Sequence, residues 1–225
     1  MNQLDNIFWH SLAGPFAHWS EGTARARRFA RGFSSMLAFP DQAHPDFTDL
    51  VGLCDVEERF YTDGWSGPAP SGWQVEMEST MFKMIWKGQA PEADEAPEAR
   101  PLGPEHAEAA LELALLTKPG PFGLRTIELG EYFGVFEGDR LIAMAGERLH
   151  AGTLREISGV CTHPGFQGRG FARQLMLKLI RRQLRRGETP CLHVASGNTG
   201  AHGLYLRMGF KDHLESAVRI VSRVG

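Results

Sequence analysis

A glycine-rich stretch at residues 163–172, HPGFQGRGFA, carries the clearest chemical signal in the sequence. Gly168 and Gly170 allow backbone conformations that bulkier residues resist, and they leave no side chain between the main chain and a ligand. The stretch separates residues 154–162, which have the pattern of a strand, from residues 173–186, which have the pattern of an amphipathic helix. Because free N–H groups and the helix dipole at such a turn favour an anion, the stretch predicts a phosphate site.

Two familiar phosphate-binding motifs do not fit this stretch. A Walker loop requires Gly-Lys-Ser/Thr, and the sequence contains no such triplet. A dinucleotide-binding turn requires Gly-x-Gly-x-x-Gly, but Gly168 and Gly170 are followed by Arg173 at the third position. Arg169 and Arg173 instead add positive charge beside the turn. A nicotinamide cofactor is therefore disfavoured.

The stretch satisfies a different pattern, Gln/Arg-x-x-Gly-x-Gly/Ala, at Gln167, Gly170 and Ala172. A second block, NTGAHGLYLRMGF at residues 198–210, follows it and has the form Asn-x-x-Ala-x-x-Leu-Tyr-x-x-x-Gly-Phe. The two blocks together resemble the acetyl-CoA loop and the downstream signature of the GCN5-related N-acetyltransferase (GNAT) superfamily. The sequences of the two blocks are most similar to the FR47-like subgroup of this superfamily. Close resemblance covers about residues 154–210, and a looser one continues to the C-terminus.

The resemblance implies that the chain binds acetyl-CoA as its acyl donor and needs no metal. In the family, the strand before the loop leaves main-chain groups free for the pantetheine arm. An N–H of Val160 or Cys161 would also face the developing oxyanion. The residues that the resemblance assigns to donor binding are Val160, Cys161, Thr162, Gln167, Gly168, Arg169, Gly170, Phe171, Ala172, Arg173, Asn198 and Tyr205.

Acetyl transfer to an amine requires an unprotonated nucleophile and a proton for the departing thiolate. By resemblance, Tyr205 is the general acid; the alternative is a tyrosine of the core with a bonded hydroxyl. The candidate base is Glu156, on the strand before the loop, where the family often has a carboxylate. Its alternative is a solvated or cross-strand paired glutamate. A β-bulge near Gly159 would change the face on which Glu156 lies.

Other residues that could carry chemistry give weaker signals. Cys161 is disfavoured as an acyl-carrying nucleophile, because no base accompanies it in the sequence. His193 is interpreted as a packed residue, with a secondary acid–base role as the alternative. The histidines of the C-terminal half show no metal-binding spacing.

The composition is that of an ordinary globular protein. Of the 225 residues, 42% are hydrophobic and 23% are charged. The net charge of −3 predicts no general attraction to nucleic acid or membrane, and no apolar run is long enough to cross a bilayer. Three cysteines without paired spacing, and an N-terminus unlike a secretory signal, favour the cytoplasm.

Composition also divides the chain into three predicted parts. Residues 89–100 are rich in Pro, Ala, Glu and Asp, which predicts a linker. Residues 1–88 are expected to form an N-terminal lobe; by analogy with the family, this lobe would be a degenerate GNAT-like copy. Residues 101–225 are expected to form the acetyltransferase domain.

Periodicity predicts the elements within these parts. The expected strands lie at 56–62, 73–86, 131–137, 140–148, 154–162, 191–195 and 217–224. The expected helices lie at 47–54, 104–116, 173–186 and 198–207. This order predicts an α/β (α+β) fold with a mixed, mostly antiparallel sheet flanked by helices. The GNAT fold has that arrangement.

The predicted function is an acetyl-CoA-dependent N-acetyltransferase that acts directly on the amine of a small molecule or amino-acid-like acceptor. The protein is expected to be a monomer or homodimer. Two alternatives stay open: an acyl-CoA sensor that binds without turnover, and a peptide or protein N-acetyltransferase.

Overall fold

A computed structural model describes residues 2–225. These residues form strands β1 (Ser20–Gly22), β2 (Arg27–Phe29), β3 (Leu37–Ala38), β4 (Arg59–Asp63), β5 (Trp73–Trp86), β6 (Arg100–Pro101), β7 (Tyr132–Glu137), β8 (Arg140–Ala151), β9 (Leu154–Thr162), β10 (Thr189–Ala195) and β11 (Phe210–Arg223). The α-helices are α1 (Ile7–Leu12), α2 (Ala107–Thr117), α3 (Phe171–Arg185) and α4 (Thr199–Met208). Short 3-10 turns lie at Gln3–Asn6, Ala17–Trp19, Thr48–Leu50, Pro104–His106, Thr126–Leu129 and Pro164–Phe166.

Eight strands form one sheet in the order β4-β11-β5-β10-β9-β8-β7-β6, and β1, β2 and β3 form a small second sheet. In the large sheet, β9 and β10 are parallel, and the other neighbouring strands are antiparallel. This is the mixed, mostly antiparallel sheet that the sequence predicts. No helix within residues 2–225 combines the length and apolar character needed to cross a bilayer.

Strand β5 joins the N-terminal part of the chain to the C-terminal sheet. It pairs with β11 from Phe210↔Trp86 to Arg223↔Trp73, and its second half also pairs with β10. Residues 1–88 were expected to form a separate N-terminal lobe. This expectation is corrected, because β4 and β5 of that segment are strands of the same sheet as residues 101–225. The alternating pattern of β5 identifies a strand, but it does not identify the strand's neighbours.

Residues 89–100 lie against α3 and do not form a free linker. Ala96 and Ala99 are buried in the main core, and Lys178 Nζ donates a hydrogen bond to Asp94 Oδ2 at 2.5 Å. Lys178 Nζ also donates to the carbonyl oxygen of Ala96 at 3.1 Å. The small alanine side chains let this segment approach the helix closely. A composition that is typical of linkers therefore belongs here to a packed segment.

The two faces of the sheet are covered by different helices. Ala143 and Ala145 on β8 point to the core beneath α3 and α4, whereas Met144 between them points to the core beneath α2. Helix α1 packs on the same side as α2, over Leu149 and Cys191. Alternation along β8 and β10 therefore sends successive side chains to opposite cores.

Two predicted boundaries differ from the structure. The helix expected at 47–54 is reduced to the 3-10 turn Thr48–Leu50. The last strand was expected at 217–224 but begins at Phe210. Helix α4 ends at Gly209, whose φ of 112° reverses the chain direction. Charged side chains early in β11 hide the strand pattern there.

Candidate active site

The glycine-rich loop forms the N-terminal entrance to α3. Gly168 and Gly170 have φ values of 77° and 81°, and a Cβ at either position would meet no atom within 4 Å. Glycine is therefore favoured at these two positions by the backbone conformation, and not by a lack of space for a side chain. The N–H of Gln174 donates to the carbonyl oxygen of Gly170 at 3.0 Å, and Gly170 provides no side-chain cap. The N–H groups of the first turn are consequently available to an anion.

Both arginines of the loop lie near this turn and are exposed. The Arg169 guanidinium lies over the ring of Phe166, 4.9 Å from its centroid. Arg173 Nη1 lies 3.9 Å from Glu95 Oε2, a contact open to solvent. Exposed contacts of this kind are weak, so both cations can turn toward a phosphate. Open space, free N–H groups and mobile cations fit the pyrophosphate of a CoA ligand.

Strand β9 leads into the loop, and it separates from its neighbour β10 before the loop begins. Strands β9 and β10 pair only as far as Cys191↔Glu156 within the described chain. Beyond that pair, the edge of β9 that faces β10 is not paired with it. A β-bulge lies between the pairs Met144↔Cys161 and Gly146↔Ser158, and Gly159 within it has a φ of 63°. The bulge that the sequence analysis considered is therefore present.

Helix α4 carries the second sequence block. Asn198 Oδ1 accepts a hydrogen bond from the N–H of Ala201 at 3.1 Å, so Asn198 caps the helix. Tyr205, two turns later, is 9% exposed. Burial raises the pKa of Tyr205 to about 12, and no neighbouring charge or hydrogen bond contributes to that shift. The phenol therefore keeps its proton over the physiological pH range.

Glu156 does not have the surroundings of a free general base. It is 1% exposed, and its two oxygens accept hydrogen bonds from Arg148 Nε at 2.9 Å and Nη2 at 2.7 Å. Burial alone would raise the pKa of Glu156, but Arg148 and His193 outweigh it and hold the pKa at about 2. A carboxylate so strongly stabilised as an anion does not readily take a proton. The expectation of Glu156 as the base is not supported by this geometry.

His193 on β10 has the free nitrogen that Glu156 lacks. Its Nδ1 lies 2.6 Å from Glu156 Oε1, and because an ionised carboxylate only accepts, Nδ1 carries a proton. Nε2 is buried and has no hydrogen-bond partner within residues 2–225. The edge of the Phe8 ring packs against the imidazole at a centroid distance of 5.8 Å. The imidazole is thus held between Glu156 and Phe8, and its Nε2 has no partner from the described residues.

His193 belongs to the wall of a cavity of about 330 Å³. Its C-terminal side is lined by Val160, His193, Asn198 and Tyr205. It is also lined by residues of the N-terminal part, namely Phe8, Met36, Tyr61, Met77, Ser79 and Met81. The segment after α2 and Arg148 complete the wall. Three predicted site residues, Val160, Asn198 and Tyr205, thus meet around one cavity.

Comparisons with known proteins agree with this geometry. A family model described as FR47-like protein matches residues 132–220. A crystal structure from Novosphingobium aromaticivorans, assigned to the GNAT family of acetyltransferases, is 31% identical over 100% of both chains, with a TM-score of 0.89. The chain belongs to the GNAT family. No curated protein matches the sequence.

More distant GNAT structures share the fold alone. A GCN5-related N-acetyltransferase-like protein from Streptococcus suis is 16% identical over 96% of this chain and 92% of its own, with a TM-score of 0.62. A GCN5-related N-acetyltransferase from Kribbella flavida is 13% identical over 98% and 96%, with a TM-score of 0.59. The predicted family and fold class are therefore confirmed. The N-terminal part is included in these matches.

The remaining predicted residues of this GNAT protein fall outside the cavity. Gln167 to Arg173 belong to the exposed loop and the start of α3. Cys161 lies in the core beneath α2, where burial raises the pKa of its thiol to about 11. Such a thiol is a poor nucleophile. Within residues 2–225, no group of three or more His, Cys, Asp or Glu residues could hold a metal ion.

The contact between His193 and Glu156 could not be predicted from the sequence, for a physical reason. A histidine in the apolar strand PCLHVA is ambiguous by itself, and its partner Glu156 lies 37 positions away. The sequence did show one titratable residue on the strand before the loop, Glu156, and one on the strand after α3, His193. Their contact depends on the register of β9 and β10, which the sequence does not show.

Proposed function

We propose that this protein is an acetyl-CoA-dependent N-acetyltransferase whose acceptor is the amine of a small molecule. The observation that carries the proposal is that His193, whose Nε2 has no hydrogen-bond partner, lines the same cavity as Tyr205. A general base and a donor of a hydrogen bond at one cavity are what amide formation from a thioester requires. Acetyl-CoA, when bound, supplies the activated acyl group.

In this proposal His193 is the general base. An alkyl ammonium has a pKa of roughly 10, so the amine must lose a proton before its nitrogen can attack. His193 Nε2 accepts that proton, and Glu156, bonded to Nδ1, stabilises the resulting imidazolium. Arg148 holds Glu156 by two hydrogen bonds. Arg148 and Glu156 are therefore positioning residues, since they act through His193.

Tyr205 would serve the leaving group. Its hydroxyl stays protonated, because burial raises its pKa to about 12. A phenol of this pKa is a weak acid beside a thiol, whose ordinary pKa is about 8.5. Its main contribution is therefore a hydrogen bond to the departing sulfur, and the proton follows as the thiolate leaves. An N–H of Val160 or Cys161, on the open edge beyond the β-bulge, would face the oxyanion.

The donor would lie between the loop and the cavity. Its pyrophosphate would meet the free N–H groups at the start of α3, with Arg169 and Arg173 beside them. The pantetheine arm would follow the open edge of β9 toward Asn198 and Tyr205. All three cysteines are free and buried, which fits a reducing compartment, so we include the cytoplasm in the proposal.

A small acceptor is favoured because the cavity volume of about 330 Å³ is at the lower end of the usual range for small-molecule sites. Side chains from α1, β4 and β5 line part of the cavity, so the N-terminal part helps to enclose the space in which the acceptor would bind.

The test is release of CoA from acetyl-CoA over a panel of amines, with His193→Gln as the variant. Glutamine keeps a donor toward Glu156 but has no basic nitrogen. We expect turnover to fall by about 10² to 10⁴, with CoA affinity by calorimetry unchanged. The residual rate should rise with pH in proportion to the unprotonated fraction of the amine, because no base then assists.

His18→Gln is the matched control, because His18 is exposed and lines no part of this cavity. CoA binding without turnover on any amine would contradict the proposal and indicate an acyl-CoA sensor. Turnover of His193→Gln at the wild-type rate would remove His193 from the mechanism.

A further inference from the structure

Part of the cavity wall beside His193 is apolar and buried. Four of its side chains, Phe8, Met36, Met81 and Val218, are at most 7% exposed. Methionine is flexible and polarizable, so two thioethers in one wall adapt to apolar groups of different shape. Such a surface favours a ligand with an apolar body. A sugar amine would leave several hydroxyl groups without partners against this wall.

The charges around the cavity disfavour a second ammonium group on the acceptor. No aspartate or glutamate of residues 2–225 lines the cavity, whereas Lys118 and Arg148 both do. Arg148 is neutralised by its paired hydrogen bonds to Glu156. One positive charge, on Lys118, is therefore left without a counter-charge. A diamine would add a further cation beside it, which Coulomb repulsion opposes.

Lys118 is held in its place by the chain on both sides. It ends α2 with a φ of 51°, and its N–H donates to the carbonyl oxygen of Ala114 at 2.7 Å. It is followed by Pro119, Gly120 and Pro121, and the carbonyl oxygen of Pro121 accepts a hydrogen bond from Ser34 Oγ at 3.0 Å. Within residues 2–225, the lysines that form ion pairs are Lys83 and Lys178. Lys118 is exposed and unpaired.

We propose that the acceptor is an α-amino acid with an apolar side chain, an inference that rests on the proposed function. The carboxylate pairs with Lys118, the side chain lies against the apolar wall, and the amine meets His193 Nε2. Only an acceptor with one ammonium group, one anionic group and an apolar body matches all three parts of the cavity. The N-terminal part of the chain therefore determines the acceptor side chain, and Lys118 selects the carboxylate.

The reaction balances with these partners. His193 takes one proton from the ammonium group, and the free amine attacks the thioester carbonyl carbon. A C–N bond forms and the C–S bond breaks. The nitrogen then loses its second proton, which is transferred to the departing sulfur, to which the Tyr205 hydroxyl donates a hydrogen bond. The products are an N-acetyl amino acid and CoA thiol, and His193 returns its proton to solvent.

The experiment measures acceptor binding by calorimetry on the full chain saturated with CoA, which lacks the acetyl group, so no turnover is needed. Leucine is compared with leucinamide, which keeps the amine and the side chain but has no anionic group. We expect leucine to bind roughly five to ten times more tightly, with an advantage that shrinks as salt is raised. Lysine, with its second ammonium group, should bind more weakly than leucine.

Lys118→Met should remove the preference for leucine over leucinamide, because it deletes the charge and keeps the length. Lys118→Arg should retain the preference, and Lys211→Met, at an exposed position on β11, should leave it unchanged. Equal affinity for leucine and leucinamide in the wild type would overturn the inference, as would an unchanged preference in Lys118→Met.

Binding and turnover separate the two proposals. If leucine binds with the expected preference but is never acetylated, the acceptor inference stands and the proposed function fails. If amines without a carboxylate are acetylated as efficiently as leucine, the proposed function stands and the acceptor inference fails.

Discussion

The loop at residues 163–172 and the cavity around His193 are built in opposite ways. The loop is one continuous segment, it is largely exposed, and it offers main-chain N–H groups. The cavity is assembled from residues of α1, β4, β5, β8, β9, β10, β11 and α4, together with Met36, Asn198 and the segment after α2. One region is thus made by local backbone geometry, and the other by tertiary contacts between distant parts of the chain.

This difference assigns different tasks to the two regions. Main-chain groups at a helix terminus recognise phosphate regardless of the side chains nearby, so the loop suits a donor that is the same across the family. Side chains from the N-terminal part can vary without disturbing the loop. In the proposed function, the cavity is therefore the part of the site that would select the acceptor.

The most severe test of this separation is a chain that begins at residue 90. It lacks β5, which fills the position between β10 and β11 and buries Met84 and Trp86 in the main core. We expect no cooperative unfolding transition by circular dichroism and no CoA binding, because β10 and β11 lose their common partner. Addition of a fragment of residues 1–89 should restore both. A chain 90–225 that folds cooperatively and binds CoA would show that the loop needs nothing from the N-terminal part.

Gly170→Asp should disable the loop and leave the cavity intact. Aspartate is strained at a φ of 81°, and its charge lies where a phosphate must bind, so CoA affinity should fall by about a hundredfold or more. Gly187→Asp is the matched control, because Gly187 has a φ of 74°, equally open surroundings and a position beyond α3. Calorimetry with CoA compares the two variants. Unchanged affinity in a folded Gly170→Asp protein would contradict the assignment of the loop.

Tyr205→Phe tests the cavity at its donor end. The ring and its contact with Phe210 are kept, while the hydroxyl is lost. We expect turnover to fall by about tenfold to a hundredfold, because a thiolate leaves without full protonation. The Michaelis constant for acetyl-CoA should change little, since the hydrogen bond strengthens mainly in the transition state. Steady-state kinetics and a melting curve on one preparation check this. A Phe variant with full turnover would return Tyr205 to a packing role.

Glu156→Gln tests the charge network behind His193 through the pH dependence of stability. Glu156 has a folded-state pKa of about 2, below its ordinary value of about 4.3. The ionised group therefore stabilises the fold above that ordinary value, and the stabilisation is lost as pH falls toward 2. Between pH 5 and pH 2, the difference in unfolding free energy between wild type and Glu156→Gln should shrink by about 2 kcal/mol.

Denaturant titrations at several pH values measure the effect of this substitution. Glu112→Gln, at an exposed position on α2, is the control and should follow the wild type throughout. A wild-type to Glu156→Gln difference that stays constant down to pH 2 would mean that Glu156 does not carry the charge of the network.

Much of the donor end was readable from the sequence. The special backbone of Gly168 and Gly170 was predicted because it is a local property, and both have the positive φ that glycine tolerates. Asn198 and Tyr205 were assigned by their resemblance to the family signature, and their spacing around α4, which Asn198 caps, places them on one face. The strand at 73–86 was also predicted at its observed bounds.

The sequence misled where a residue's partner lies far away in the chain. The alternation of β5 did not reveal that it joins β10 and β11, and the alanines of residues 89–100 did not reveal α3 beneath them. Glu156 was proposed as a base from its strand position, yet Arg148 and His193 decide its charge state.

The sequence by itself determined the family, the loop and the helix that carries Tyr205, because each depends on residues within a few turns of one another. Tertiary structure alone decided that His193 Nε2 has no partner, that Glu156 is held as an anion, and that residues of the N-terminal part line the cavity. The physical reason is that pKa values and cavity walls are set by distance in space. Strand register, which brings Glu156 to 2.6 Å from His193, is a property of the whole sheet.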